Sequence, residues 1–333
     1  MKARSPARFP SPVSKDFTHL PVLREEVLEL LAPEEGEKFC DLTVGLGGHS
    51  ELLAERVGEA GLLLGIDCDR QALTRAEQRL ADLPQVQLRL GRFSQIARIH
   101  QAEEMPPLDG ILADLGVSSL QLDDGRRGFS FRKSAPLDMR LDRSRPISAK
   151  DLVNKAPEAE LAKIFSKFGE ERGARKIAQA VASARPLRST LELAELVERV
   201  ASRRPGERIH PATKVFQALR IAVNDELGEL EKMLPAAFKL LAPGGRLAVI
   251  SFHSLEDRLV KNFFRQVTAR CLCPPESPVC CCSGSLAELV NKKVIQASAA
   301  EISENPRARS ARLRVLRRNK NPLPSSFPSL LSK

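Results

Sequence analysis

Two hydrophobic patterns alternate along the first third of the chain. Val27, Leu28, Leu30 and Leu31 recur at helical spacing and are closed off by Pro33. A β-branched and apolar run over 39–44 then climbs to a glycine-dense turn at Gly45, Gly47 and Gly48, and Leu52, Leu53 and Val57 continue as a helix. The cycle repeats with a strand over 62–67, a helix through Ala72, Leu73, Ala76 and Leu80, and short strands over 86–90 and 109–116. Short apolar runs alternating with stretches of period 3.6 predict a mostly parallel sheet with helices on both faces, an α/β Rossmann-like arrangement.

The rhythm stops after residue 122. From 123 to 213 no run reads as a strand, whereas Leu161, Ile164, Phe165 and Phe168, and then Leu193, Leu196, Val197 and Val200, recur at helical spacing. Ser189 and Glu192 stand where a capping box would start the second of these helices. This stretch is expected to be an all-helical insertion. A long helix from Lys214, kinked or split at Pro235, should end near Ala242-Pro243-Gly244-Gly245. A fifth strand over 246–251 and a helix carrying Leu259, Val260, Phe263 and Phe264 follow. The runs 293–297 and 311–316 look like a closing pair of strands. The chain thus divides into a basic, Pro-rich tail (1–17), a sheet domain in two parts (18–122 and 214–320) around the insertion (123–213), and a second tail (321–333).

Composition narrows the partners. At 42% hydrophobic residues the chain can bury a core, and no apolar run reaches the roughly 20 residues that a membrane helix needs. The basic start has no apolar segment of the secretory kind, so a cytoplasmic location with free thiols is expected. A net charge of +10 favours a polyanionic partner. With no Trp and no Tyr, any base stacking rests on Phe, His or Arg. Cys271, Cys273, Cys280, Cys281 and Cys282 cluster within a loop at 271–282, but as Cys-x-Cys and a triplet rather than the paired spacings of zinc sites. No metal is expected.

Ligands of open parallel sheets lie beyond the carboxyl ends of the strands. That rule collects Gly47, Asp67, Phe93 and Asp114 on one rim, with the stretch Phe252-His253-Ser254-Leu255-Glu256-Asp257 beside them. Asp67 lies about twenty residues past Gly47, where an acid takes the two hydroxyls of a ribose. The glycine series Gly45, Gly47, Gly48 with Ser50 departs from the dinucleotide fingerprint Gly-x-Gly-x-x-Gly. S-adenosylmethionine, which has the ribose without a pyrophosphate, suits the turn better than a nicotinamide dinucleotide. An oxidoreductase and a non-catalytic RNA-binding protein are the competing readings.

Several long stretches together resemble one family. They include Val44-Gly45-Leu46-Gly47-Gly48-His49-Ser50, Asp114-Leu115-Gly116-Val117-Ser118-Ser119 with Gln121-Leu122-Asp123, and Arg127-Gly128-Phe129-Ser130-Phe131. Pro136-Leu137-Asp138-Met139-Arg140, Phe216-Gln217-Ala218-Leu219-Arg220, Ser251-Phe252-His253-Ser254-Leu255-Glu256-Asp257-Arg258 and Asn305-Pro306-Arg307-Ala308-Arg309-Ser310 belong with them. The family is ribosomal RNA small subunit methyltransferase H, which methylates N4 of a cytidine in bacterial 16S ribosomal RNA. The resemblance covers about 19–318 and departs at Leu120, where the family usually has proline. It implies a class I methyltransferase fold, S-adenosyl-L-methionine as cofactor, and 16S rRNA of the 30S subunit as partner. It further implies that Gly47, Gly48 and His49 line the donor site, with Asp67 on the ribose and Phe93 beside the adenine. Asp114 and Gln121 would approach the methionine end, and the helical insertion would roof the RNA cleft.

Methyl transfer to an exocyclic amine needs an acceptor for one N4 hydrogen, because the nitrogen lone pair is delocalised into the ring. Asp114 is the first candidate, and His253 is expected to face the incoming base. Ser254 with Asp257 reads as a helix cap. The small polar residue followed by Pro-Pro-Tyr that marks many amino methyltransferases is missing after the fourth strand. Arg127, Arg132, Arg140 and Arg220 are the candidates for phosphate contact.

Overall fold

A computed structural model describes residues 20–201, 210–271 and 284–321, together with Leu323 and Phe327. The N-terminal tail and the cysteines of the 271–282 loop beyond Cys271 lie outside the described residues. Strands β1 (Lys38–Asp41), β2 (Leu62–Asp67), β3 (Val86–Leu90), β4 (Leu108–Asp114) and β5 (Leu241–Ser251) pair in parallel. β7 (Arg312–Arg318) lies antiparallel between β5 and β6 (Ala287–Leu289), giving the seven-stranded order β3-β2-β1-β4-β5-β7-β6. This is a mostly parallel, doubly wound, Rossmann-like sheet. The order reverses between β1 and β4, and the crevice over that reversal is where such sheets bind ligands. At the same seam Gly110 leaves room for the Phe39 ring; a Cβ there would sit 2.0 Å from Phe39 Cε1.

Helix α1 (Arg24–Leu31) precedes β1, and α2 (Gly48–Val57), α3 (Arg70–Arg79) and α4 (Ile96–Ala102) connect the first four strands. After β4 come the short α5 (Ser119–Asp123) and then α6 (Ala149–Lys155), α7 (Glu158–Gly169), α8 (Ala174–Ser183) and α9 (Thr190–Val200). α10 (Ala212–Asn224) and α11 (Glu226–Leu240) lead into β5, and α12 (Ser254–Val267) and α13 (Ala299–Glu304) complete the fold. Cores form on both faces of the sheet, one around Leu64, Ile111, Phe238 and Phe264, the other around Phe39, Leu53, Leu112 and Ile250. A separate core binds the helical body through Phe165, Ile177, Val197 and Leu219.

Three expectations need correction. α10 shares the helical body's core through Val215, Phe216 and Leu219, so that body reaches past 213 to Asn224. The helix expected to break at Pro235 breaks instead at Asp225, which adopts a left-handed conformation (φ 54°, ψ 38°), while Pro235 stays inside α11. The run 293–297 is no strand of the sheet and pairs with it only through a bridge from Ile295 to Leu313. Asn291 explains why: its side chain accepts from Val315 N (2.7 Å) and donates to Leu313 O (3.0 Å), occupying the edge that a further strand would need. The proposed capping box at Ser189 is half made. Ser189 Oγ accepts from Glu192 N, but the Glu192 carboxylate takes Arg188 N instead.

Candidate active site

The run out of β1 turns through Gly45 (φ 54°) and Gly47 (φ 82°), left-handed conformations that cost a side chain strain, and enters α2 at Gly48. Asp41, fully buried at the end of β1, ties this turn together. It accepts from Ser50 Oγ (2.6 Å) and Thr43 N (3.0 Å), and Thr43 Oγ1 in turn accepts from Asp114 N (2.6 Å). Burial raises the Asp41 carboxyl above its usual range, against the pull of those hydrogen bonds. At the end of β2, Asp67 accepts from Gly45 N and Asp69 N, both at 2.8 Å, one on each oxygen. Burial pushes its pKa up to about 6. Each oxygen keeps a lone pair, so a diol can bond across both.

His49 and Asp114 line the same pocket, with His49 Nε2 3.8 Å from Asp114 Oδ2. Burial lowers the His49 pKa to about 4, opposed by a hydrogen bond to the Val22 backbone. The ring is therefore neutral, donates toward Val22 and keeps Nε2 as an acceptor. Burial, and then the charges of Asp41 and Glu256, push the Asp114 carboxyl well above the carboxylate range. His49 Nε2 and Asp114 Oδ1 are both buried without a hydrogen-bond partner among the described residues. Unpaired buried acceptors on this scale cost about 1–3 kcal/mol each. Their convergence fits a cationic ammonium and sulfonium, the groups at the methionine end of S-adenosyl-L-methionine. Phe93, Asp142, Arg145 and Asn224 also line this pocket.

A second pocket opens against the first. Phe129, Phe131, Phe216 and Phe252 form its walls, and His253, Gln217, Arg220 and Arg307 supply its polar edge. Gly116, Val117, Phe252 and Arg307 line both pockets. Gly116 has φ 108°, and a Cβ there would lie 3.4 Å from the Phe252 ring. The backbone at Gly116 and Val117 and the Phe252 ring thus form a ledge common to both spaces.

His253 is the N-cap of α12: Nδ1 accepts from Glu256 N (3.4 Å), which leaves Nε2 as the nitrogen that can donate. Nε2 comes within 3.2 Å of Glu256 Oε1 without hydrogen-bond geometry and has no partner among the described residues. Burial would raise Glu256, but His253 and Arg220 outweigh it and hold that carboxyl low. Arg220 forks onto Glu226 at 2.8 and 2.7 Å. Glu226, His253 and Glu256 could together offer three metal ligands, yet Arg220 already supplies the positive charge there.

The model of the MraW methylase family matches residues 16–319. The chain belongs to that family. A ribosomal RNA small subunit methyltransferase H of Syntrophotalea carbinolica is 52% identical over 91% of this chain and 98% of its own length. Proteins of the same name from Trichlorobacter lovleyi and Thermomicrobium roseum are 50% and 48% identical, over 90% and 96% of this chain and 98% of each relative. S-adenosyl-L-methionine is the cofactor of this methylase family member.

Within this methylase, Gly48, His49, Asp67, Phe93, Asp114 and Gln121 all line the first pocket. Gly47 does not. It faces α3, where a Cβ would stand 3.3 Å from Leu80 Cδ1, and its part is to allow the turn. Gln121 works through its neighbours, capping Ser118 N through Oε1 (2.9 Å) and donating Nε2 to Asp69 (2.9 Å). Of the four candidate arginines, Arg127, Arg132, Arg140 and Arg220, only Arg132 is exposed. Arg127 is 1% exposed and bonded inside the protein, so it cannot meet a phosphate. Arg140 is folded onto Asp138 and the carbonyls of Arg143 and Arg145, and Arg220 is held by Glu226 in the wall of the second pocket. The cap expected from Ser254 and Asp257 is made by His253 and Glu256. Ser254 instead donates to Glu170 (2.7 Å), and Asp257 accepts from Arg312 and Arg314. Arg307, which lines both pockets, was not singled out from the sequence, although it stands inside one of the long family stretches.

Proposed function

We propose that the protein transfers the methyl group of S-adenosyl-L-methionine to the exocyclic N4 of a cytidine in 16S rRNA, acting in the cytoplasm on the assembled or assembling 30S subunit. The names of its relatives, all small-subunit rRNA methyltransferases, support the RNA. The observation that carries the reading is the shared ledge at Gly116, Val117 and Phe252, which sets an aromatic pocket against the donor pocket.

The bound donor supplies an electrophilic methyl. Asp67 takes the ribose hydroxyls, Phe93 flanks the adenine, and His49 Nε2 with Asp114 Oδ1 receive the positive end of the methionine. The target base is swung out, at a cost of roughly a few kcal/mol, and its faces pack among Phe129, Phe131 and Phe252. His253 donates from Nε2 to the cytosine N3 or O2, for which a proton already on that nitrogen is the right state. That same proton makes His253 a poor acceptor for the N4 hydrogen, and this role falls to Asp114. Beside a positive donor the Asp114 carboxyl ionises more readily, and it then localises the N4 lone pair by accepting one of its hydrogens. Orientation and exclusion of water account for the remainder of the barrier lowering. Arg132, which is exposed, and Arg307, which lines both pockets, can meet the RNA backbone.

The test is incubation of the chain with labelled S-adenosyl-L-methionine and 30S subunits lacking the modification, followed by nucleoside mass analysis. Label is expected in N4-methylcytidine, and Asp114→Asn should lower transfer at least about a hundredfold. Label in another nucleoside, or none, overturns the reading.

A further inference from the structure

Among the described residues Arg127 is the largest side chain that is all but completely buried, and its bonds join parts of the fold that face different pockets. Nη1 donates to Asp69 Oδ2 (2.8 Å) and Gln71 Oε1 (3.2 Å). Nη2 donates to the carbonyls of Arg140 (3.0 Å) and Leu141 (3.1 Å), and the guanidinium lies 5.8 Å from the centre of the Phe129 ring.

On one side, Asp69 caps α3, donates its N–H to Asp67 and accepts from Gln121, which holds Ser118 after the shared ledge. On the other, Leu141 N is fixed by Asn224 Oδ1 (2.8 Å) at the end of α10, and Asn224 Nδ2 also holds Met139 O. Phe129 and Met139 are walls of the aromatic pocket, while Asp67, Leu141 and Asn224 line the donor pocket. A rigid, planar fork can hold a carboxylate on one edge and two carbonyls on the other at once. An ammonium is a single point with no such span.

We propose that Arg127 is a positioning residue that couples the two pockets: a filled donor pocket fixes the loop 67–69, and through Arg127 this orders the walls that receive the base. Donor and RNA therefore bind with positive cooperativity. This rests on the aromatic pocket being the base site.

The test measures the affinity of the full chain for unmethylated 30S subunits with and without saturating S-adenosylhomocysteine, which cannot react. The wild type should bind at least about fivefold tighter with the ligand present. In Arg127→Lys that ratio should fall below about twofold, with KM for 30S raised and kcat little changed. Gly110→Ala, which strains the sheet away from this network, should keep the ratio. Removing one partner of a buried ion pair can unfold a chain, so Asp69→Asn with Arg127→Met, which removes both charges together, is the second variant and should also uncouple. A wild-type ratio near one, or an Arg127→Lys ratio equal to wild type, overturns the coupling. Phe131→Ala separates the two levels. If it impairs methylation while the ratios fail, the base site stands and only the coupling falls. If it has no effect, the base site falls and the coupling with it.

Discussion

Replacing Asp67 by Asn tests the donor site at its most constrained point. The side chain keeps its shape, but one acceptor oxygen becomes an NH2 donor. Both carboxylate oxygens already accept backbone hydrogens, from Gly45 and Asp69 at 2.8 Å. Whichever way the amide is turned, one backbone N–H is left facing another donor. That unmet hydrogen bond costs about 1–3 kcal/mol of stability, and it weighs on the free and the bound protein alike. Affinity loses something different, the ribose hydrogen bonds to a charged acceptor. At about 1.5–3 kcal/mol for such a bond, S-adenosylhomocysteine should bind about 10- to 150-fold more weakly at pH 7.5. Titration calorimetry reads this directly, and a thermal melt reads the stability loss separately. The pH dependence supplies a second check. Burial raises the Asp67 pKa to about 6, and the ionised form is the better acceptor, so affinity is present above pH 6 and lost as pH falls through it. At pH 5 the wild type should bind about tenfold more weakly than at pH 7.5, and this dependence should flatten in Asp67→Asn. A variant affinity within twofold of wild type at pH 7.5 would refute the assignment of Asp67 to the ribose.

Phe131 packs on His210 and Phe216, with ring centres 4.9 and 4.8 Å apart. Phe131→Ala should lower kcat/KM for 30S subunits by about 5- to 150-fold, as expected for a lost stacking surface, while leaving S-adenosylhomocysteine binding near wild type. Equal loss of both affinities would argue for a general collapse of the helical body. Gly110→Ala sets a methyl 2.0 Å from the Phe39 ring between paired central strands, and overpacking there should cost about 1–3 kcal/mol in denaturant unfolding. An unchanged midpoint would contradict that packing. Arg132 is exposed and has no ion pair among the described residues. Arg132→Glu should weaken 30S binding and reduce the slope of log affinity against log salt by about one or more, and an unaltered slope would remove Arg132 from the RNA path.

The alternation of apolar runs and helical stretches was enough to predict the five parallel strands, and the glycine turn and strand-end acids marked one rim. Asp67, Phe93 and Asp114 do line one pocket, because residues at the carboxyl ends of parallel strands must come out on the same side. Element boundaries were less legible where a single side chain decides them. Asn291 blocks a sheet edge from outside any strand, and His253, a weak capping residue by propensity, takes the cap that Ser254 seemed placed to make.

What the sequence determined by itself was the order of elements and the chemistry available at strand ends, since both follow from local periodicity and from the rule of the parallel sheet. What only the tertiary structure decided was which polar side chains face outward. Arg127 sits in a basic loop and reads as a phosphate contact, yet Asp69, 58 residues away, and the backbone at 140–141 close over it. A side chain's periodicity shows which face of its own element it occupies, but burial is set by whatever distant element comes to cover that face.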